Sequence, residues 1–115
     1  MPKVVVIGAG HWGKNLVRNF SNLNALAGVC DSDAEAVEAI QAAYPDTRSW
    51  ASHEAVFSDE DVDVVAIATP AATHGDLVEA ALNSGKNVFV EKPLCLDLEQ
   101  AHDLEKIASR AGKVL

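Results

Sequence analysis

"VVVIGAGHWGKN", residues 4–15, sets four unbroken apolar residues ahead of a turn that holds Gly8, Gly10 and Gly13. Glycine loses more conformational freedom on folding than any other residue, so three of them in so short a stretch need a reason. The leading residues are all β-branched, which predicts a buried strand over Lys3–Ile7 that stops at Gly8. From His11 the apolar period changes, and Trp12, Leu16, Val17 and Phe20 share one face of a helix running to Asn22–Asn24. Between strand and helix, Gly8-Ala9-Gly10-His11-Trp12-Gly13 fits the pattern G-x-G-x-x-G. In that setting each glycine has a task. Gly8 permits the tight turn, Gly10 lets main chain approach a diphosphate, and Gly13 lets helix and strand pack closely. The free N–H groups of the turn and the positive end of the helix then suit the phosphates.

A second apolar run, Leu26–Cys30, reads as the next strand, and Asp31 follows it eighteen residues past Gly13. A carboxylate at this place can accept both ribose hydroxyls of an adenosine; the competing reading has Asp31 capping the next helix together with Ser32. Asp33 is close by and no lysine or arginine is, so a 2′-phosphate meets repulsion, which favours NAD over NADP. His11 and Trp12 fill the variable positions of the turn and are counted with the cofactor-binding residues. His11 either hydrogen-bonds a phosphate or faces solvent, and Trp12 is expected to pack at the helix start.

The rest of the chain alternates in the same way. Ser32 opens S-D-A-E, a capping box for a helix carrying Val37, Ile40 and Tyr44 that Pro45 closes. Thr47–Trp50 is a short edge strand and Ser52–Phe57 a short helix capped by Ser52. Asp63–Thr69 has no polar face and predicts an inner strand, ended by Pro70. Thr73 and Asp76 repeat the capping box before Leu77, Val78, Ala81 and Leu82, with Gly85 after the helix. Asn87–Glu91 is the next strand. Asp97 with Gln100 caps a last helix that Gly112 terminates, and Lys113–Leu115 open a further strand. This alternation predicts an α/β fold, a Rossmann-type doubly wound parallel sheet in the order 3-2-1-4-5-6, its sixth strand truncated.

A length of 115 residues suits one domain, and 49% hydrophobic with 23% charged residues suits a globular chain. The net charge of −8 argues against nucleic acid and anionic lipid as partners. Every carboxylate lies from Asp31 onward, while residues 1–30 hold Lys3, Lys14 and Arg18, so an anionic ligand meets least repulsion at the N-terminal stretch. The apolar runs are too short for a membrane span and Met1–Ile7 is too short for a signal core, which predicts a cytoplasmic protein. Cys30 and Cys95 share no metal-ligand or C-x-x-C spacing and read as free thiols; no metal is expected.

Two further motifs follow strands: Ala68-Thr69-Pro70-Ala71-Ala72-Thr73-His74 and Glu91-Lys92-Pro93. Together with the glycine turn and Asp31 they make the whole chain, residues 1–115, resemble the cofactor-binding half of the Gfo/Idh/MocA oxidoreductases. The segment G-H-W-G-K-N looks like members acting on sugars or nucleotide sugars. The resemblance implies an NAD(H)-dependent dehydrogenase in which Lys92 is the catalytic residue, beside the nicotinamide, moving the proton of a substrate hydroxyl during hydride transfer. It implies that Ala68, Thr69 and Pro70 line the nicotinamide ribose and that the Lys92–Pro93 bond is cis. His74 matches the family histidine and either contacts the cofactor or is structural; Glu91 orders its loop or contacts the ribose. It further implies a C-terminal substrate and catalytic domain absent from this chain, so that the fragment alone is inactive and the full-length protein forms a homo-oligomer. Two rivals are a stand-alone NAD-sensing module without catalysis and an S-adenosylmethionine-binding methyltransferase, against which Glu91-Lys92-Pro93 argues.

Overall fold

The structure, a computed structural model, describes residues 2–115. The β-branched run forms strand β1 (Val4–Ile7), and all four of its residues are buried because it has a parallel neighbour on each side. These are β2 (Leu26–Cys30) and β4 (Val64–Ile67); outside them lie β3 (Arg48–Trp50) and β5 (Asn87–Val90), giving the order β3-β2-β1-β4-β5. Side chains alternate across β1. Val5 and Ile7 join Val65 and Ile67 in one core, covered by α4 (His74–Asn83) through Val78 and Leu82 and by α5 (Leu98–Ala111) through Leu104. Val4 and Val6 join Val29 in the other, covered by α1 (His11–Asn22) through Leu16 and Val17 and by α2 (Ala34–Ala43) through Ile40. A short α3 (His53–Ser58) adds Val56 and Phe57 to the first core. Each fully buried valine of the inner strands contributes about 1.5–3 kcal/mol, so β1 is the energetic centre of the sheet.

Five strands form where six were expected. At the open edge, Val88 N donates to Val114 O at 2.9 Å and Val114 N donates to Asn87 Oδ1 at 2.9 Å, so residues 113–115 run beside β5 without becoming a strand. The Lys92–Pro93 bond is cis.

Helix starts depart from the sequence reading at three places. The cap of α2 is Asp33, whose Oδ1 accepts from Glu35 N at 3.0 Å and Ala36 N at 3.4 Å, and Ser32 is left exposed. The shift follows from Asp31, whose Oδ1 accepts from Asp33 N at 2.8 Å and so holds Asp33 in the extended backbone that a capping residue needs. Before α4 a single 3-10 turn, Ala71–Thr73, brings Thr73 into helical backbone already, and its hydroxyl turns back to Pro70 O at 2.7 Å instead of capping. Asp76, freed from the expected box, accepts from Gln100 Nε2 at 3.0 Å. That bond in turn takes Gln100 away from the start of α5, which Asp97 caps through Glu99 N at 3.0 Å. Ser52 caps α3 as expected, accepting from Ala55 N at 3.2 Å.

The glycine turn is where the chain is most tightly confined. Gly8 has φ +102° and a side chain there would begin 2.8 Å from the carbonyl carbon of Ala68. A side chain at Gly13 would overlap the carbonyl oxygen of Gly8. At Gly10 nothing lies within 4 Å of the same position, and φ −74° is open to any residue. Gly8→Ala is therefore expected to cost roughly 1–3 kcal/mol in urea denaturation, whereas Gly10→Ala should stay within about 0.5 kcal/mol of the parent. Equal losses at the two positions would contradict this packing.

Candidate functional site

The turn opens at the carboxyl ends of β1, β2 and β4, which are laced together there. Gly8 N donates to Cys30 O at 2.9 Å and Ala68 N to Ile7 O at 2.8 Å. The first turn of α1 follows directly, with Gly10 in the capping position, no side chain on its amides and no acidic residue among its first residues. By contrast α2, α3, α4 and α5 carry Glu35, Glu54, Asp76 and Glu99 in their first turns. The positive end of α1 is thus left to face an anion from outside the chain.

A cavity of about 690 Å³ lies over this turn. Gly8, Gly10, His11 and Trp12 form its floor, Ala68, Thr69 and Pro70 one wall, and Asp31 and Ser32 the other. Eight sequence-predicted residues therefore meet on one surface. Trp12 corrects the expectation of helix-start packing, since it is 61% exposed and meets the His11 ring edge-on at 5.5 Å. Its helical position is too close to the turn for the sheet to cover it.

Asp31 does not cap α2. Its Oδ2 accepts from Ala9 N at 2.6 Å while Oδ1 accepts from Asp33 N, so the carboxylate braces the glycine turn from the end of β2. A carboxylate oxygen has two lone pairs, and each of these keeps one for a further donor. The far wall continues through Ala51, Ser52, His53 and Glu54, none of them among the residues expected at the site. The cue that could have found them is Ser52 itself. A cap just after the strand expected beside Leu26–Cys30 sets the start of α3 next to Asp31.

Cys30 ends β2 behind this wall, and its thiol is pushed up to about 11 by burial and by the nearby carboxylates of Asp31 and Glu54. A thiol in that state is packing and not a nucleophile.

The remaining predicted residues lie beneath or beside the cavity. Gly13 is buried under Gly8. His74 is 2% exposed, with Nδ1 2.7 Å from Pro93 O and Nε2 2.8 Å from Thr69 O. Glu91 extends the ladder past β5, donating from N to Ile67 O at 3.0 Å, and Lys92 stands exposed on the loop after it. Among the described residues no cluster of three or more metal-ligating side chains occurs, and no helix is long and apolar enough to cross a membrane.

Iodoacetamide at pH 8 is expected to alkylate the half-exposed Cys95 and to leave Cys30 unmodified until the chain unfolds. Burial both shields the Cys30 thiol and raises its pKa, so the thiolate that iodoacetamide needs is scarce at pH 8. Peptide mass mapping that finds Cys30 labelled first would contradict the burial.

Comparison with known proteins agrees with this geometry. UDP-N-acetylglucosamine 3-dehydrogenase of Acidithiobacillus ferrooxidans is 36% identical over 110 residues, covering 96% of this chain and 34% of that protein. Inositol 2-dehydrogenase of Rhizobium meliloti is 39% identical over 107 residues, covering 90% of this chain and 32% of its own length. The crystal structure of GenD2 from gentamicin A biosynthesis, in complex with NAD, superposes with a TM-score of 0.92 at 29% identity, over 99% of this chain and 33% of that one. The chain thus spans about a third of the length of the relatives it matches. Residues 2–115 match the family described as "Oxidoreductase family, NAD-binding Rossmann fold", and the chain belongs to that family, the Gfo/Idh/MocA oxidoreductases.

Proposed function

We propose that this chain is the NAD(H)-holding part of a dehydrogenase acting on an alcohol of a sugar or nucleotide sugar. The observation that carries the reading is Gly10. The backbone there does not need glycine, and the fold does not need the space, yet a side chain would point into open volume on the cavity floor. Main chain left bare beside open space on the cavity floor is main chain that a ligand can approach directly. The amides at the start of α1, uncapped and without a neighbouring carboxylate, would hold the diphosphate.

The residues fit a dinucleotide from end to end. Asp31, already oriented by Ala9 N and Asp33 N, would accept the adenosine ribose hydroxyls on its spare lone pairs. Asp31, Asp33 and Glu54 together would repel a 2′-phosphate, which supports NAD over NADP. Thr69 and Pro70 would border the nicotinamide ribose. The bound nicotinamide supplies the hydride chemistry. Lys92, exposed on the loop after β5, would donate to the substrate oxygen and hold its proton as the alcohol is made or consumed. The inositol and UDP-N-acetylglucosamine dehydrogenases among the relatives support the substrate class. Since those relatives are about three times as long, the substrate-binding residues are assigned to a further domain and this chain alone to cofactor binding without turnover.

Two measurements on the chain test the reading. Gly10→Val should weaken NADH at least about tenfold, or about 1.4 kcal/mol, as read by quenching of tryptophan fluorescence, with its far-ultraviolet circular dichroism unchanged. Undiminished affinity would remove the phosphate site. Asp31→Ala should weaken NADH by about 1–3 kcal/mol and NADPH by less, so that the NADH to NADPH preference falls. A preference that stays constant would show that Asp31 does not hold the ribose.

A further inference from the structure

His74 sits where two loops of the site meet. It is the first residue of α4, and its ring reaches the main chain of both loops, Thr69 after β4 and Pro93 after β5. At 2% exposed, with both nitrogens engaged, it has no free polar atom for a ligand and takes no part in the cavity wall. Thr69 is part of that wall, and Pro93 is bonded to Lys92. The ring therefore spans from the cavity wall to the loop that carries the lysine.

The two ends of this span are unequally held. On the Thr69 side, Thr69 Oγ1 and Thr73 Oγ1 are 2.7 Å apart and Thr73 Oγ1 donates to Pro70 O at 2.7 Å. Below, the Asp76 to Gln100 bond ties the first turn of α4 to α5, and Gly75 allows that approach because a side chain there would overlap the Gln100 amide. The Pro93 side has fewer hydrogen bonds, and Leu94 beside it packs against the core. Among the described residues, the contact of Pro93 O with His74 is the hydrogen bond that segment 92–94 makes to the rest of the fold. Both partners of the ring are carbonyl oxygens, which only accept, so a contact is a hydrogen bond where the ring nitrogen facing it carries the N–H, as the tautomer sets.

We propose that His74 is a positioning residue: without touching the cofactor, it sets the loop carrying Lys92 against the Thr69 wall and so shapes the nicotinamide end of the site. This rests on the function proposed above. It departs from a direct cofactor contact by His74 and assigns the residue a measurable task beyond packing. The task is local to the nicotinamide end, because the diphosphate and adenosine ends are built on Gly8–Gly13 and Asp31.

The test compares two ligands on the chain by calorimetry: NADH, which carries the nicotinamide, and ADP-ribose, which lacks it. His74→Ala should weaken NADH about fivefold or more and change ADP-ribose by less than about twofold. His74→Asn and His74→Gln separate the two arms. The Asn amide nitrogen replaces Nδ1 and keeps the Pro93 contact, while the Gln amide nitrogen replaces Nε2 and keeps the Thr69 contact. The Asn variant should hold the wild-type ratio of NADH to ADP-ribose affinity and the Gln variant should lose it. If the wild-type chain binds both ligands and all variants weaken them in parallel, or the Asn and Gln variants behave alike, His74 is mere packing and the inference falls alone. If the wild-type chain binds neither ligand, the dinucleotide reading falls and takes this one with it. The Asn and Gln arms also decide the matter should the Ala variant fail to fold.

Discussion

Main chain touching main chain at the end of β1 is the constraint on which the remainder of the structure depends. Gly8 lies against the carbonyl of Ala68, and Gly13 against the carbonyl of Gly8, at distances no side chain could share. Because of these contacts α1 begins directly over the sheet, at the point where the chain has neighbours from both winding directions, β2 on one side and β4 on the other. Doubly wound sheets open a crevice at that point, and here the helix amides are delivered to it. Two glycines serve the fold, while the third, Gly10, opens onto the crevice. The pattern of three is one motif in sequence but two kinds of requirement in space.

Asp31 links these requirements. A carboxylate that only bound a ribose could be oriented by the ligand, but this one is already held by Ala9 N and Asp33 N. The same bonds that orient it shift the cap of α2 to Asp33 and occupy the Ala9 amide. They leave the amides beyond it, at the uncapped start of α1, for an outside anion. Pre-orientation of this kind lowers the entropy lost when a ligand arrives. Burial first, and then the charge of Asp31 and Glu54, explains the state of Cys30. A thiolate there would face two carboxylates from a buried position, so the thiol keeps its proton.

What was legible in the sequence follows from how local each signal is. The strand, turn and helix over residues 4–22 could be read because β-branched residues, glycines and a helical apolar stripe each act within a few positions. Helix caps were read less well. Ser32, Thr73 and Gln100 all carry groups able to cap, but the outcome was decided by partners distant in sequence or by the backbone just before: Asp31 fixing Asp33, the 3-10 turn ahead of α4, and Asp76 drawing Gln100 across to another helix. Trp12 is apolar by composition and yet exposed, because it lies in the first turn of α1, close to the glycine turn. The wall formed by Ala51–Glu54 depends on β3 lying beside β2, which follows from the predicted strand order and not from the local pattern around Ser52. His74 was left open between ligand contact and structure, and its burial between two carbonyl oxygens, which depends on partners far along the chain, could not be read locally.

The two ends of the site are built to different stiffness. Around Gly8–Gly13 and Asp31 the geometry is set by main-chain contacts, strand ladders and a doubly bonded carboxylate, all of which yield only if the sheet does. Lys92 stands on a loop whose segment 92–94 is held, among the described residues, by the hydrogen bond to His74 and by Leu94 packing on the core. Local opening costs least where few hydrogen bonds are broken, so this loop can adjust while the turn cannot. In the proposed function that division is useful. A dinucleotide is the same molecule in every catalytic cycle and rewards a rigid cradle, whereas the group that exchanges a proton with the substrate must meet an alcohol presented by another part of the protein. Stiffness at the turn then governs how tightly the cofactor is held, and the His74 contact governs where the lysine stands, so the two can vary independently within one small sheet.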